Sequence, residues 1–237
     1  MEYTFLDSLF PEFCVVCGRW IDPSLRSGPF PLCTSCRSFL DRGEPRRCRI
    51  CSRELVSEQE LCMECRSRSF AFLTNFSLFH YRGVIQECIL SYKSKGMIRL
   101  SRFFAEELAP LLKERYPGLA VVPVPSRKEA MKKRGFDPLD RICKELHAHC
   151  GIRILPLLSR KWGTKEQKTL NKQERIVNLK TAFYFIPSMQ KNEHHWIPGS
   201  VVLLDDVFTT GTTLNACAEI LQKEGVQDVY GVTIARD

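Results

Sequence analysis

Residues 201–213, VVLLDDVFTTGTT, decide the fold that we expect for the larger part of this 237-residue chain. The apolar residues 201–204 form a short continuous run, which is typical of a strand buried on both faces of a parallel sheet. Asp205 and Asp206 follow directly, so two carboxylates are expected where this strand leaves the core. Neighbouring carboxylates repel each other unless they share a cation or a ligand with several donors. The stretch therefore predicts a binding site at the end of a buried strand.

The turn after the two acids offers groups that bind a phosphate. Gly211 permits a tight turn, the next helix begins with free amides, and four hydroxyls flank the glycine, on Thr209, Thr210, Thr212 and Thr213. One motif thus combines donors for a phosphate with acceptors for vicinal hydroxyls, and a ribose 5-phosphate satisfies both. A Walker B strand would also end in acids, but the chain contains no G-x4-G-K-[ST] segment. A purely structural capped turn is the remaining alternative.

Apolar runs and helical periodicity alternate along the chain around this motif. This order predicts an α/β fold, with a parallel sheet, right-handed crossovers and ligands at the carboxyl ends of the strands. Besides 201–204, strands are predicted at 71–81, 119–124, 152–158, 181–186 and 229–235, and helices at 84–93, 99–116, 138–151 and 214–225. Pro110 is expected to bend or interrupt the second of these helices.

The cysteines indicate a separate first unit that binds metal. Two C-x2-C pairs present four thiolates, which complete a tetrahedral zinc site and leave no open position for catalysis. Sequential pairing is the simplest, and a cross-braced arrangement stays open. Disulfides and iron–sulfur clusters are the alternatives, although a reducing compartment disfavours the disulfides. We therefore expect two structural zinc ions, held by four C-x2-C pairs: Cys14/Cys17, Cys33/Cys36, Cys48/Cys51 and Cys62/Cys65.

The charge of the chain is unevenly distributed. Residues 1–68 carry ten basic and ten acidic residues, so the net charge of +8 arises entirely after residue 68. The surplus concentrates at 82–134 and 153–180, which indicates either an anionic partner or a solvated basic face. No apolar run reaches membrane-spanning length, and the N-terminus lacks the basic region of a signal peptide. We therefore expect a cytoplasmic protein without membrane insertion.

Taken together, these segments resemble a known family. The stretch 201–213 is similar to the phosphoribosyl pyrophosphate (PRPP) signature of type I phosphoribosyltransferases. With the cysteine pairs and the segments YKSKG (92–96), VPVPSRKEAMKKRGF (122–136) and QKTLNKQERIVNLKTAF (167–183), nearly the whole chain resembles the ComF family, which includes ComFC and GntX-like proteins. The resemblance implies a double zinc ribbon over residues 1–68 and a type I phosphoribosyltransferase-like domain over residues 69–237.

The resemblance also implies roles for individual residues. Asp205 and Asp206 would be the catalytic and PRPP-binding acids that hold the ribose hydroxyls, and residues 209–213 would hold the 5-phosphate. Mg²⁺ is expected with PRPP. Residues 162–180 resemble a flexible loop that closes over PRPP, and Lys93 and Lys95 are further candidates. The loop after residues 122–125 corresponds to a pyrophosphate loop, in which five basic side chains suit a leaving group that gains negative charge: Arg127, Lys128, Lys132, Lys133 and Arg134.

Three functions are compatible with this sequence. The chain could be an enzyme that transfers phosphoribosyl to an unknown acceptor, although no dedicated catalytic base and no acceptor-binding segment can be named. It could be a module that senses PRPP or a nucleotide without turnover. The resemblance further implies handling of single-stranded DNA during natural transformation, with a DNA-uptake helicase (ComFA-like) as partner. One groove could accept either PRPP or a sugar-phosphate backbone, so these functions do not exclude one another.

Overall fold

The computed structural model describes residues 12–22, 31–161, 182–187 and 197–237. In the cysteine-rich part, two short helices each begin directly after the first cysteine of a C-x2-C pair: α1 (Thr34–Ser38) follows Cys33, and α2 (Met63–Arg66) follows Cys62. The Cys33 sulfur accepts a hydrogen bond from the Cys36 amide at 3.4 Å. The residues between the two cysteines therefore form the first turn of the helix.

The remainder of the described chain alternates strands with helices, as predicted. Its elements are β1 (Thr74–His80), α3 (Gly83–Ser94), α4 (Leu100–Arg115), β2 (Ala120–Pro123), α5 (Lys128–Arg134), α6 (Pro138–Cys150), β3 (Leu158–Arg160), β4 (Phe183–Phe185), β5 (Ser200–Phe208), α7 (Thr212–Lys223) and β6 (Asp228–Arg236).

Four of these strands form a parallel sheet in the order β1-β6-β5-β2. Residues 201–204 of β5 are completely buried, because β5 lies between two strands and under helices on both faces. On one face α4 packs against α6, and on the other α7 contacts β4, β5 and β6. The predicted fold class, a parallel sheet flanked by helices, is confirmed.

Several predicted boundaries were wrong. Of the strand predicted at 152–158, only Ile154 pairs with the sheet, through a bridge to Val121, because Pro156 has no amide to continue a ladder. Instead, β3 and β4 form a separate antiparallel pair, so 181–186 does not join the parallel sheet. The basic segment after β2 contains the short helix α5 rather than a loop. β5 extends to Phe208, four residues beyond the predicted end.

Pro110 does not interrupt its helix. It lies inside α4, which runs from Leu100 to Arg115 as a single element. Phe104 and Leu108, before the proline, are completely buried, and Leu112, after it, is almost so. The burial of this apolar face therefore outweighs the one backbone hydrogen bond that proline cannot donate.

The cysteine-rich part covers the free edge of β1, which is an outer strand of the sheet. Within β1, the Asn75 amide donates to the Arg49 carbonyl at 2.8 Å, and the His80 amide donates to the Asp41 carbonyl at 2.9 Å. Between them, the Ser77 amide donates to the Ser52 hydroxyl at 2.8 Å. An uncovered strand edge pairs readily with other chains, so these bonds remove a site of aggregation.

A charged contact also joins the cysteine-rich part to α4. Glu107 of α4 is only 7% exposed, and its carboxylate accepts from the Arg37 guanidinium at 3.1 Å and pairs with Arg42. The Arg42 guanidinium also lies over the Phe79 ring, 4.9 Å from its centroid. A carboxylate buried this deeply requires paired charges, so both arginines are structurally necessary.

We expect Glu107→Gln to lower the free energy of unfolding by about 1–2 kcal/mol, because two arginines lose their shared counter-charge while remaining partly exposed to water. Urea unfolding measures this change. Glu106→Gln is the matched control: it removes the neighbouring carboxylate, whose pair with Arg102 is exposed, and should cost about 0.5 kcal/mol or less. Equal losses in the two variants would contradict the role assigned to Glu107.

Candidate functional site

The eight predicted cysteine ligands gather into two clusters with the sequential pairing. The four sulfurs of each cluster lie within 4.8 Å of one another. The Sγ–Sγ distance is 3.7 Å for Cys17 and Cys33 and also 3.7 Å for Cys51 and Cys62. Zn–S bonds of about 2.3 Å in a tetrahedron place sulfurs about 3.8 Å apart, whereas a disulfide holds them at about 2.05 Å. All eight thiols are free, so the geometry fits two structural zinc sites. The first cluster is Cys14, Cys17, Cys33 and Cys36, and the second is Cys48, Cys51, Cys62 and Cys65.

The second cluster is buried and supplies backbone donors to its sulfurs. Hydrogen bonds from the Cys51 thiol and from the amides of Ile50 and Cys51 lower the pKa of Cys48 to about 4, although burial opposes this shift. Amides aimed at a sulfur stabilise the thiolate, which is the form that binds zinc.

The predicted acids lie beside the segment that follows β2. β2 and β5 are neighbours in the sheet, and the Val124 amide extends their pairing by donating to the Leu204 carbonyl at 2.9 Å. After β2 the chain passes through α5 and α6 to Ile154 on the outer side, whereas after β5 it passes through α7 to β6 on the other side. The chain thus diverges between these two strands, and ligands in α/β proteins bind at such a point.

Asp205 and Asp206 differ in their surroundings. Burial and the neighbouring charge of Asp206 raise the pKa of Asp205 to about 7. The Asp205 Oδ1 atom accepts a hydrogen bond from the Asp206 amide at 2.8 Å. Asp206 forms an ion pair with Lys93 of α3, so the structure brings this candidate lysine to the acids. Lys95 instead pairs with Glu87 on the surface of α3, at 2.7 Å.

The threonine-rich turn requires glycine at its centre. Gly211 precedes α7 with φ of +74°, a conformation that other residues rarely adopt. A Cβ atom at this position would lie 2.7 Å from the Phe208 ring and 3.3 Å from the Phe70 ring. The hydroxyls of Thr210 and Thr212 lie 2.7 Å apart on the two sides of Gly211. The turn therefore presents its hydroxyls next to the first amides of a twelve-residue helix.

The basic residues after β2 do not all point the same way. Arg127 directly precedes α5, and Lys128 and Lys132 line a cavity beside the β2 segment. Arg134 folds back along its own helix and donates to the Ala130 carbonyl at 3.1 Å. Lys133 is exposed. The segment 162–180, predicted to close over a ligand, lies outside the described residues.

Sequence reasoning missed one basic residue near the acids. Arg160, at the end of β3, is 9% exposed, and its guanidinium lies over the Phe183 ring, 4.9 Å from the centroid. Burial lowers the pKa of Arg160, and so does the charge of Arg127, whereas Asp205 opposes the shift. The sequence does contain a signal for this residue, because Arg160 ends the apolar run LPLLSR. An arginine in that place becomes buried if the run forms a strand.

Comparison with known proteins gives the following similarities. Residues 5–66 match the family model of a double zinc ribbon domain. The chain is 25% identical to the competence protein ComFC of Streptococcus pneumoniae over 94% of this chain and 99% of that protein. It is 27% identical to competence protein F of Haemophilus influenzae over 86% and 90% of the two chains. It is also 27% identical to the DNA utilization protein YhgH of Escherichia coli over 84% and 93%.

Among solved structures, a hypoxanthine phosphoribosyltransferase from Staphylococcus aureus is similar with a TM-score of 0.31 and 22% identity. The alignment covers 57% of this chain and 62% of the enzyme, so it spans less than two thirds of that chain. Among the helices that the structure describes, none combines the length and the apolar character needed to cross a bilayer.

The fold and the cysteine clusters define a protein with a double zinc ribbon and an α/β unit built on a parallel sheet. Over most of its length the chain is similar to competence and DNA utilization proteins, which agrees with the resemblance of its motifs to the ComF family.

We expect Asp205→Asn to raise the melting temperature more at pH 8 than at pH 5. The pKa of Asp205 is higher in the folded chain, about 7, than the ordinary value of 3.8. The free energy of unfolding therefore falls as the pH rises from 3.8 to about 7. The variant carries a neutral amide at this position and does not lose this stability. Melting curves at the two pH values measure the difference, with Asp140→Asn, an exposed acid on α6, as control. An equal effect of Asp205→Asn at both pH values would contradict the buried-acid assignment.

Proposed function

We propose that this chain binds PRPP, or another phosphorylated ribose, at the carboxyl edge between β2 and β5. The observation that carries the proposal is the placement of Asp205 and Asp206 on β5 beside the segment after β2, at the point where the chain diverges. Carboxylates that can accept hydrogen bonds from a ligand thus lie at the same edge of the sheet as a turn that can bind phosphate. The 13-residue motif supplies both, and its resemblance to the PRPP signature supports the choice of ligand.

The side chains have complementary tasks in this proposal. Asp205 and Asp206 accept hydrogen bonds from the ribose hydroxyls, and the hydroxyls of residues 209–213 and the first amides of α7 donate to the 5-phosphate. Before a ligand binds, Lys93 neutralises the Asp206 carboxylate. Lys93 must move away when this carboxylate binds the ribose hydroxyls. Arg127 and Lys128 are the basic residues suited to the pyrophosphate end, whereas Arg134 is bonded to its own helix.

Magnesium fits the donor set, because carboxylate oxygens and phosphates are its preferred ligands. When bound, Mg²⁺ would supply positive charge to the pyrophosphate end of the ligand. The raised pKa of Asp205, about 7, indicates that the site disfavours two bare carboxylates. A cation or a hydrogen-bonding ligand would remove this repulsion.

Transfer of the phosphoribosyl group to an acceptor is compatible with the site but requires a second ligand. Displacement at the anomeric carbon depends mainly on positioning and on charge stabilisation, so it needs no dedicated base. Sensing of PRPP without turnover uses the same contacts. Binding is common to both alternatives, and it is therefore the function that we propose.

We expect PRPP with Mg²⁺ to raise the melting temperature of the full chain, because the ligand binds the folded state alone. The double variant Asp205→Asn/Asp206→Asn should lose this shift. The matched control is Asp140→Asn, which removes an exposed carboxylate on α6 and should keep the shift. An undiminished shift in the double variant would mean that PRPP binds elsewhere.

A second proposed function, handling of single-stranded DNA in the cytoplasm, is supported by a basic aromatic patch. The guanidinium groups of Arg47 and Arg115 both lie over the Phe76 ring of β1, at 5.1 and 4.2 Å from its centroid. Arg47 is held by the Ser77 carbonyl at 2.9 Å, while Arg115 has no acidic partner among the described residues. Guanidinium planes bind both phosphates and bases. The names of the competence and DNA utilization relatives support DNA as the partner. The resemblance of the sequence to the ComF family supports a DNA-uptake helicase as a second partner.

We expect binding of an oligothymidine to weaken steeply with salt, because each phosphate that the protein neutralises adds about 0.7 to the steepness of the logarithmic salt dependence. Arg115→Gln should weaken binding and make this dependence shallower. Arg102→Gln removes an equally positive residue that is paired with Glu106, and it should change little. Fluorescence anisotropy at several salt concentrations measures both effects. A salt-independent affinity, or equal effects of the two variants, would contradict this surface.

A further inference from the structure

A cavity of about 570 Å³ lies beside the segment after β2. Its walls come from residues 123–126, from α5 and the start of α6, and from residues 156–160. None of the residues of the motif, all of which the structure describes, lines it. Cavities of this size hold small ligands. The cavity therefore adjoins the proposed ribose site and shares Lys128 with its pyrophosphate end, but it contains neither the two acids nor the threonine-rich turn.

Arg160 lines this cavity and lacks a hydrogen-bonding partner for its buried Nε atom. The residue is 9% exposed, and its guanidinium forms no ion pair or hydrogen bond in the part of the chain that the structure describes. The guanidinium instead lies over the Phe183 ring, 4.9 Å from its centroid. Burying an arginine without an acceptor is costly, so this position is one that an incoming anion would stabilise.

The acids of the cavity wall do not neutralise Arg160. The carboxylate of Asp137 is occupied by the start of α6, where it accepts from the amides of Leu139 at 3.0 Å and Asp140 at 3.4 Å. It also accepts from the hydroxyl and the amide of Ser126, at 3.0 and 3.2 Å. Asp140 forms an ion pair with Lys144 at 2.8 Å on the exposed side of α6. The lining also contains Lys128 and Lys132, so its three basic side chains outnumber its two acidic ones.

The remaining walls are apolar and suit a flat body. Pro123, Val124 and Pro125 form one side, and Met131, Pro156 and Leu158 contribute from neighbouring elements. Prolines lose little conformational entropy when a ring packs against them, and a flexible thioether can adapt its shape to the ring. A guanidinium binds phosphate or carboxylate with two parallel hydrogen bonds. The lining thus combines a rigid apolar slot with one guanidinium that can donate strong hydrogen bonds to an anion.

We propose that this cavity is a second ligand site, which binds a small aromatic anion with its phosphate or carboxylate on Arg160 and its ring between the proline wall and Leu158. The site adjoins the ribose site but contains neither Asp205 nor Asp206, so it does not depend on PRPP binding. Because both sites use residues 123–126, a ligand in the cavity lies directly behind the segment that borders the ribose site.

Isothermal titration of the full zinc-loaded chain with phenyl phosphate and with benzoate tests the proposal. Neither probe contains a ribose, so binding should need no Mg²⁺ and should persist in Asp205→Asn/Asp206→Asn. Whichever of the two binds more tightly identifies the anionic group. Inorganic phosphate should bind at least tenfold more weakly than phenyl phosphate, because it cannot use the apolar walls. Failure of both aromatic probes to bind, or loss of binding in the double aspartate variant, would overturn the second site.

Arg160→Met keeps the length of the side chain but removes its charge, and it should weaken the better probe at least tenfold. Arg102→Met is the matched control on α4 and should leave binding unchanged. Without ligand, Arg160→Met should melt at the same or a higher temperature, because the variant removes a buried charge whose Nε atom has no hydrogen-bonding partner. Unchanged affinity in Arg160→Met would overturn the assignment, as would a marked loss of stability, since that loss would make Arg160 a structural residue.

Discussion

The pairing of β2 with β5 is the interaction on which the proposed chemistry of this protein depends. Residues 201–204 are completely buried, so β5 cannot shift without exposing the centre of the core. The Val124 amide continues the pairing past the end of β2, which holds the following segment against the acids. Two stretches that lie far apart in sequence are thereby fixed beside one another by backbone bonds. The two backbone segments at this edge therefore keep their relative position even when their side chains are changed.

The fold was readable from the sequence where one physical signal dominated. The apolar run at 201–204 predicted a strand buried on both faces, and the C-x2-C spacing predicted two four-thiolate clusters. The spacing could not choose the sequential pairing, because that depends on how the chain folds between the pairs. The prediction of a strand at 152–158 was wrong because Pro156 has no amide hydrogen to donate to a neighbouring strand. A pattern of apolar residues carries no information about hydrogen bonds. Arg160 was overlooked because the same pattern treats a charged residue as exposed.

The two parts of the chain share one hydrophobic core and are joined in addition by polar contacts. Backbone bonds connect the cysteine-rich part to β1, and Glu107 receives two arginines from that part. Such contacts are directional, so they fix the orientation of the zinc-binding part more strictly than an apolar interface would. The basic patch around Phe76 depends on this orientation, since Arg47 comes from one part and Arg115 from the other. A surface for nucleic acid at this place would therefore exist only in the assembled chain.

The contacts that cover the edge of β1 also affect how newly made chains fold. The residues that seal this strand, at 41, 49 and 52, lie close in sequence to Cys48 and Cys51. Without metal, four crowded thiols would no longer hold that turn in place, and the outer strand would be left open to neighbouring copies. The supply of metal would then influence whether copies of the chain associate through this edge.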